Sequence, residues 1–255
     1  MQSLKGFSDF LSLLNRYPIM LHGLVVDTNI LISATYDGDT FFEQTNDLLD
    51  LVIENQVPLF YNVNVRAEFL EIQRRISFTE ALLSFESDTK LSTLPIELAR
   101  KLGSIRSNQK KREETGRRAI RLSEFDIKDF KALMIKENSH YGNLWREFCH
   151  HYIGDQLAIV WNEVVDKFGL NPLSLRREDQ DKNILRPPSW EEAVLLMSTE
   201  GLSSYDAMIV NMFLASNIMA ILSSDADVGT AVQRQKREDK ICILPDRVLK
   251  SIVIG

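Results

Sequence analysis

Short unbroken apolar runs along this chain alternate with stretches whose apolar residues recur every three or four positions. Leu24, Val25 and Val26 in LHGLVVDTNILISA form one such run, and VPLFYN, IMAILSS and DKICILPD hold the others. Runs this short, bounded by polar or turn-forming residues, predict strands covered on both faces. Helical spacing marks GFSDFLSLLNRY at the start, then TFFEQTNDLLDLVIEN, and NVRAEFLEIQRRI with Asn62 or Asn64 as its cap. Thr28 or Asn29 stands where a cap is needed for the helix that follows the first strand. Further on, SWEEAVLLMSTEG predicts a helix from Ser189 to about Gly201. SSYDAMIVNMFLASN predicts another, capped by Ser203 or Ser204, and ADVGTAVQRQKR a short third. Alternating strands and helices predict an α/β fold around a parallel sheet.

The middle of the chain breaks this alternation. Residues 77–188 show little strand patterning and are dominated by charged helical stretches, and the paired prolines of LRPPSW interrupt any helix there. The expected organisation is a sheet domain made of residues 1–76 plus 189–255, interrupted by a mainly helical insertion over 77–188. KLGSIRSNQKKREETGRRAIR, Lys101 to Arg121, carries eight Lys or Arg against two Glu. Lys110, Lys111, Arg112, Arg117 and Arg118 are its candidates for phosphate contacts. A solvated helical face balanced by acidic neighbours accounts for the run equally well.

Composition narrows the partners. The formal charge of the 255 residues is -6, which argues against a protein that binds nucleic acid through overall basicity. It leaves room for a cluster of acids neutralised by bound cations. Cys149 and Cys242 are too few for a disulfide framework or a thiolate zinc site, and reduced thiols point to the cytoplasm. Cys149, His150 and His151 are adjacent, so a helix would turn them in different directions; with His140 they read as structural or surface residues. The N-terminus lacks the shape of a signal peptide, and IVNMFLASNIMAILSS is too mixed to span a membrane. Neither G-x-G-x-x-G nor G-x-x-x-x-G-K-[ST] occurs.

What remains is a set of carboxylates. Asp27 and Asp225 each lie just beyond the end of a predicted strand, while Glu68 and Asp206 lie near the start of predicted helices. In an open parallel sheet those positions share one edge, the edge where ligands bind. Acids gathered there would repel one another and raise each other's pKa values. A hard divalent cation such as Mg²⁺ or Mn²⁺ relieves that conflict and brings phosphoryl chemistry with it.

These fragments resemble the PIN-domain nuclease family. VVDTNIL is similar to the family's opening motif, with its acid at Asp27 and polar companions Thr28 and Asn29. VRAEFLEI resembles the second motif at Glu68, and LSSYDAMIV the third at Asp206. ILSSDADVG resembles the fourth, with Asp225 favoured and Asp227 two residues on, after Ser223 and Ser224. The resemblance covers about Leu21 to Ile76 and Glu191 to Ile254. It departs from the family in the long interval between Glu68 and Asp206, and in Val228 and Gly229 where an aromatic residue usually follows the fourth motif.

The resemblance implies a PIN-like three-layer α/β/α fold with a central parallel sheet. It also implies a metal-dependent endoribonuclease, with Asp27, Glu68, Asp206 and Asp225 as catalytic acids that hold Mg²⁺ or Mn²⁺, and Asp227 adjacent. Thr28, Asn29, Ser223 and Ser224 would support them. RNA is the implied substrate, and an antitoxin-like or other protein partner and a homodimer are further expectations. Two other readings stay open: a catalytically silent PIN-fold module that binds RNA or protein, and a phosphatase using Asp27 as nucleophile. The second is weakened by Asn29 where the familiar aspartyl-phosphatase pattern has another aspartate.

Overall fold

The computed structural model describes residues 3–88, 94–114, 122–136, 144–173 and 183–254. Six strands form one sheet: β1 (Leu4–Gly6), β2 (Leu24–Val26), β3 (Leu59–Tyr61), β4 (Leu170–Pro172), β5 (Ala220–Leu222) and β6 (Ile241–Leu244). Their order across the sheet is β1-β6-β5-β2-β3-β4, and every pair is parallel. The protein is therefore α/β with an all-parallel central sheet, consistent with helices packed on both faces. The unbroken apolar runs are explained directly, since β2, β5 and β6 are buried along their whole length.

By its contacts the chain divides into two compact units, Met1–Phe69 with Glu163–Gly255, and Leu70–Asn162. The sheet unit holds α1 (Phe10–Arg16), α2 (Thr28–Thr35) and α3 (Phe42–Glu54). The helix α4 (Val63–Asp88) begins there and continues beyond Leu70. The helical unit contains the rest of α4, α5 (Ile96–Glu114), α6 (Glu124–Lys136), α7 (Leu144–Phe148) and a π-helical turn, Cys149–Ile153. The helix α8 (Gln156–Phe168) starts in that unit and ends in the sheet unit, where α9 (Trp190–Glu200), α10 (Ser204–Ala215), α11 (Ala226–Arg234) and α12 (Asp246–Ile254) complete the chain.

The local signals that worked are physical ones. Ser189 caps α9 by accepting from the Glu192 amide at 3.1 Å, and Gly201 ends it in the left-handed region at φ 71°. Asn62 caps α4 through Val65, and Ser203 caps α10 through Asp206. Gly23 enters β2 at φ 135°, and a Cβ there would lie 2.4 Å from the Phe60 ring, so glycine is required twice over.

Three expectations need correction. Leu4–Gly6 is a strand and Phe7–Asp9 a 3-10 turn, so the first helix starts only at Phe10. The Leu-Lys-Gly triplet has no strand pattern of its own; pairing Leu4 with Cys242 and Gly6 with Leu244 imposes it. Within the stretch read as helical, Leu170–Pro172 pairs with β3 as an edge strand, a place where a proline is tolerated. The cap of α2 is neither Thr28 nor Asn29 but Asp27 itself, whose carboxylate accepts from the Thr28 amide at 2.7 Å.

The core of the helical unit is built on Phe78, Leu82, Leu98, Leu102, Phe130 and Phe148. Its aromatic residues interlock, Phe78 stacking on Trp145 at 5.4 Å and Phe85 meeting Phe148 edge-on at 5.5 Å. Among the described residues no helix is long and apolar enough to cross a membrane.

Candidate metal centre

The strand order creates the site. From β2 the chain moves outward to β3 and β4 on one side, whereas from β5 it moves to β6 on the other. The carboxyl ends of β2 and β5 therefore flank the point where the winding reverses, the place where α/β sheets open a crevice. Asp27 follows β2 at this point, and Ser223, Ser224 and Asp225 follow β5. Glu68 comes from the second turn of α4, and Asp206 from the first turn of α10.

Asp27, Glu68 and Asp206 each offer a carboxylate oxygen, and the three oxygens lie within 4.8 Å of one another. Asp27 is fully buried, and Glu68 and Asp206 are half-buried. Asp225 is half-buried beside this trio, near enough for its charge to be felt by Glu68 and for that of Asp206 to be felt by Asp225. Asp227 is exposed; its amide donates to Asp225 Oδ1 at 2.7 Å, and the charge of its carboxylate is felt by Asp225.

Ser223 ties the two strand ends together. Its hydroxyl donates to Asp27 Oδ2 at 2.6 Å and accepts from the Asp225 amide at 3.0 Å. Thr28 is buried on the first turn of α2, its hydroxyl reaching Val65 O at 3.5 Å and its side chain close enough to Glu68 to work against the rise in that acid's pKa. Ser203 plays the corresponding part for Asp206, its hydroxyl donating to Oδ2 at 2.6 Å. Asn29 and Ser224 are half-buried neighbours of these groups.

The electrostatics are those of acids crowded away from water. Burial, with smaller pushes from Asp206 and Glu68, raises Asp27 to about 7 against the bond from Ser223. Glu68 is raised by burial and by Asp206 and Asp225, and Asp225 by burial, Asp206 and Asp227. Among the described residues no lysine, arginine or histidine pairs with any of the four acids. Glu68 Oε2 is buried with no hydrogen-bond partner. A buried carboxylate oxygen left unsatisfied is costly, and it is what a cation-binding site presents before its ion arrives. All the donors are oxygens, which suits Mg²⁺ or Mn²⁺ better than softer metals.

Of the basic candidates, Lys110, Lys111 and Arg112 are exposed on the last turns of α5, while Arg117 and Arg118 lie outside the described residues, as does His140. His150 and His151 are exposed on the π-helical turn and belong to no metal-binding group among the described residues.

The sequence reading missed Lys240. It is buried at the start of β6, and its Nζ donates to the carbonyls of Phe213, Ser216 and Ile218 at 2.9, 2.8 and 2.7 Å. Arg237 adds a bond to Leu214 O at 3.1 Å. Two cations thus hold the carboxyl end of α10, the helix whose amino end carries Asp206. A lone lysine leading an apolar run was the only hint. Compared with protein-family models, with curated proteins and with solved structures, the chain matches none.

Proposed function

We propose that this protein is a divalent-metal-dependent endoribonuclease of the PIN-domain kind. The observation that carries the reading is the convergence of Asp27, Glu68 and Asp206 within 4.8 Å at the reversal point of a parallel sheet, with no cationic side chain paired to them among the described residues. The order of the four motif-like fragments along the sequence supports it independently.

Asp27, Glu68 and Asp206 would hold the ion, with Asp225 beside them. A hard divalent cation bound there supplies Lewis acidity toward a phosphodiester and a nucleophile from water near neutral pH. The residues of the chain do the remaining work. Ser223 orients Asp27 by holding one oxygen, which leaves the carboxylate fixed before any ligand arrives. Ser203 does the same for Asp206, and Thr28 lies beside Glu68 and favours its ionised form.

The test is cleavage of mixed single-stranded and structured RNAs in Mn²⁺ by the wild type, Asp27→Asn and Asp206→Asn. Loss of at least a hundredfold in both variants is expected. Equal activity in all three rejects the mechanism.

A further inference from the structure

Charge is divided unevenly between the two units. Leu70–Asn162 contains 16 Lys or Arg against 13 Asp or Glu, whereas the sheet unit contains 14 against 23. The unit that holds the carboxylate cluster is therefore strongly acidic, and a polyanionic substrate approaching it meets net repulsion. The helical unit carries the opposite sign.

Within it, α5 is organised for an outside partner. Leu98, Leu102 and Ile105 bury one face in the core of the unit. Lys101 turns toward α6, pairing with Asp129 at 2.5 Å. Arg100, Ser104, Ser107 and Lys111 are all exposed and spaced i, i+4, i+7 and i+11, so they line a single stripe that the exposed Glu97 and Glu114 close at its two ends, with Lys110 about a quarter-turn to one side. That stripe runs for roughly 16 Å at 1.5 Å per residue, long enough to follow several phosphates of an extended strand.

Gly103 lies along the same side. Glycine inside a helix is unfavourable, and here packing does not call for it, because a Cβ at Gly103 would meet nothing within 4 Å. Bare backbone flanked by cations and hydroxyls lets a ligand come close to the helix.

We propose that this face of α5 binds the phosphodiester backbone of single-stranded RNA, with Arg100, Lys110 and Lys111 neutralising phosphates and Ser104 and Ser107 donating to their oxygens. The choice of RNA as the polyanion rests on the proposed nuclease function; the binding face itself does not. Because the contacts are to backbone, binding is insensitive to base sequence and strongly sensitive to salt.

The experiment measures fluorescence anisotropy of a labelled oligouridylate on the full chain in EDTA, so that binding is read without cleavage. The variant Arg100→Gln/Lys110→Gln/Lys111→Gln is compared with the wild type, with circular dichroism and thermal melting confirming its fold. Removing three phosphate contacts is expected to weaken binding at least tenfold at low salt. It should also flatten the slope of log K against log[salt] by about 2, at about 0.7 per contact for a single strand. Gly103→Leu, which covers the bare backbone, is expected to weaken binding without lowering the melting temperature. Unchanged affinity and salt slope in the folded triple variant overturn the proposal. RNA binding lost in the triple variant, together with no Mn²⁺-dependent cleavage by the wild type, keeps the binding face and removes the nuclease.

Discussion

The Ser223 hydroxyl donates to Asp27 Oδ2 at 2.6 Å, joining two residues 196 positions apart in the chain. Asp27 is fully buried, and this bond works against the burial that raises its pKa. Replacing Ser223 by alanine removes a bond to a charged group, a change of about 1.5–3 kcal/mol in favour of the protonated form. In Ser223→Ala, the pH midpoint of Mn²⁺ binding should move upward by at least one unit. A titration of Mn²⁺ affinity from pH 5 to 9 checks this, and an unmoved midpoint removes Ser223 from the site.

Asp27 makes metal-free stability depend on pH in a defined direction. Its folded pKa of about 7 stands above the ordinary 3.8, so between those values the folded state holds a proton that the unfolded state has released. Stability therefore falls as pH rises from about 4 to about 7. Asp27→Asn has no such proton, and its stability relative to wild type should grow across that window by up to roughly 4 kcal/mol at about 1.4 kcal/mol per unit. Urea unfolding in EDTA at pH 4.5, 6 and 7.5 measures the trend; a flat difference contradicts it.

Metal should reverse that dependence, because an ion binds the ionised carboxylates. Mn²⁺ at a hundred times its dissociation constant should stabilise the wild type by about 2.7 kcal/mol and raise its melting temperature. Asp206→Asn, which removes the negative charge of one of the three converging carboxylates, should lose most of that rise. Differential scanning fluorimetry with and without Mn²⁺ is sufficient.

Lys240→Met tests the far end of α10. The substitution keeps an apolar stem one atom shorter but removes the donor to three carbonyls, of which Phe213 O still accepts from the Ser216 hydroxyl and amide. Each unpaired group costs about 1–3 kcal/mol, offset in part because a buried ammonium is itself unfavourable. A net loss of about 2–4 kcal/mol in urea unfolding is expected. Burial lowers Lys240 from 10.5 to about 8, so between those values the folded state has shed a proton that the unfolded state keeps. Wild-type stability relative to Lys240→Met should accordingly rise from pH 8 to pH 10.

Where local chemistry decides, the sequence was a sufficient guide. Leu24–Val26, Ala220–Leu222 and Ile241–Leu244 announce themselves by unbroken apolarity. Ser189 and Gly201 bracket α9 by their own side-chain and backbone preferences. Where pairing decides, it was not. Lys5 and Asn171 are strand residues only because β6 and β3 offer them an edge. The acids were legible as residue types at plausible places, but their convergence depends on β5 lying against β2, a tertiary fact with no local signal. For the same reason the closest trio contains Asp206 and leaves Asp225 beside it.

That adjacency of β2 and β5 also sets a temporal order. During synthesis the strand bearing Asp27 leaves the ribosome long before the strand that supplies its serine, and closing so long a loop is a slow, late event. A nascent chain up to Met219 would already contain three of the four acids and still lack the serine that fixes Asp27. On the proposed reading, the first acid of the site would gain its fixing bond only after β5 has been synthesised.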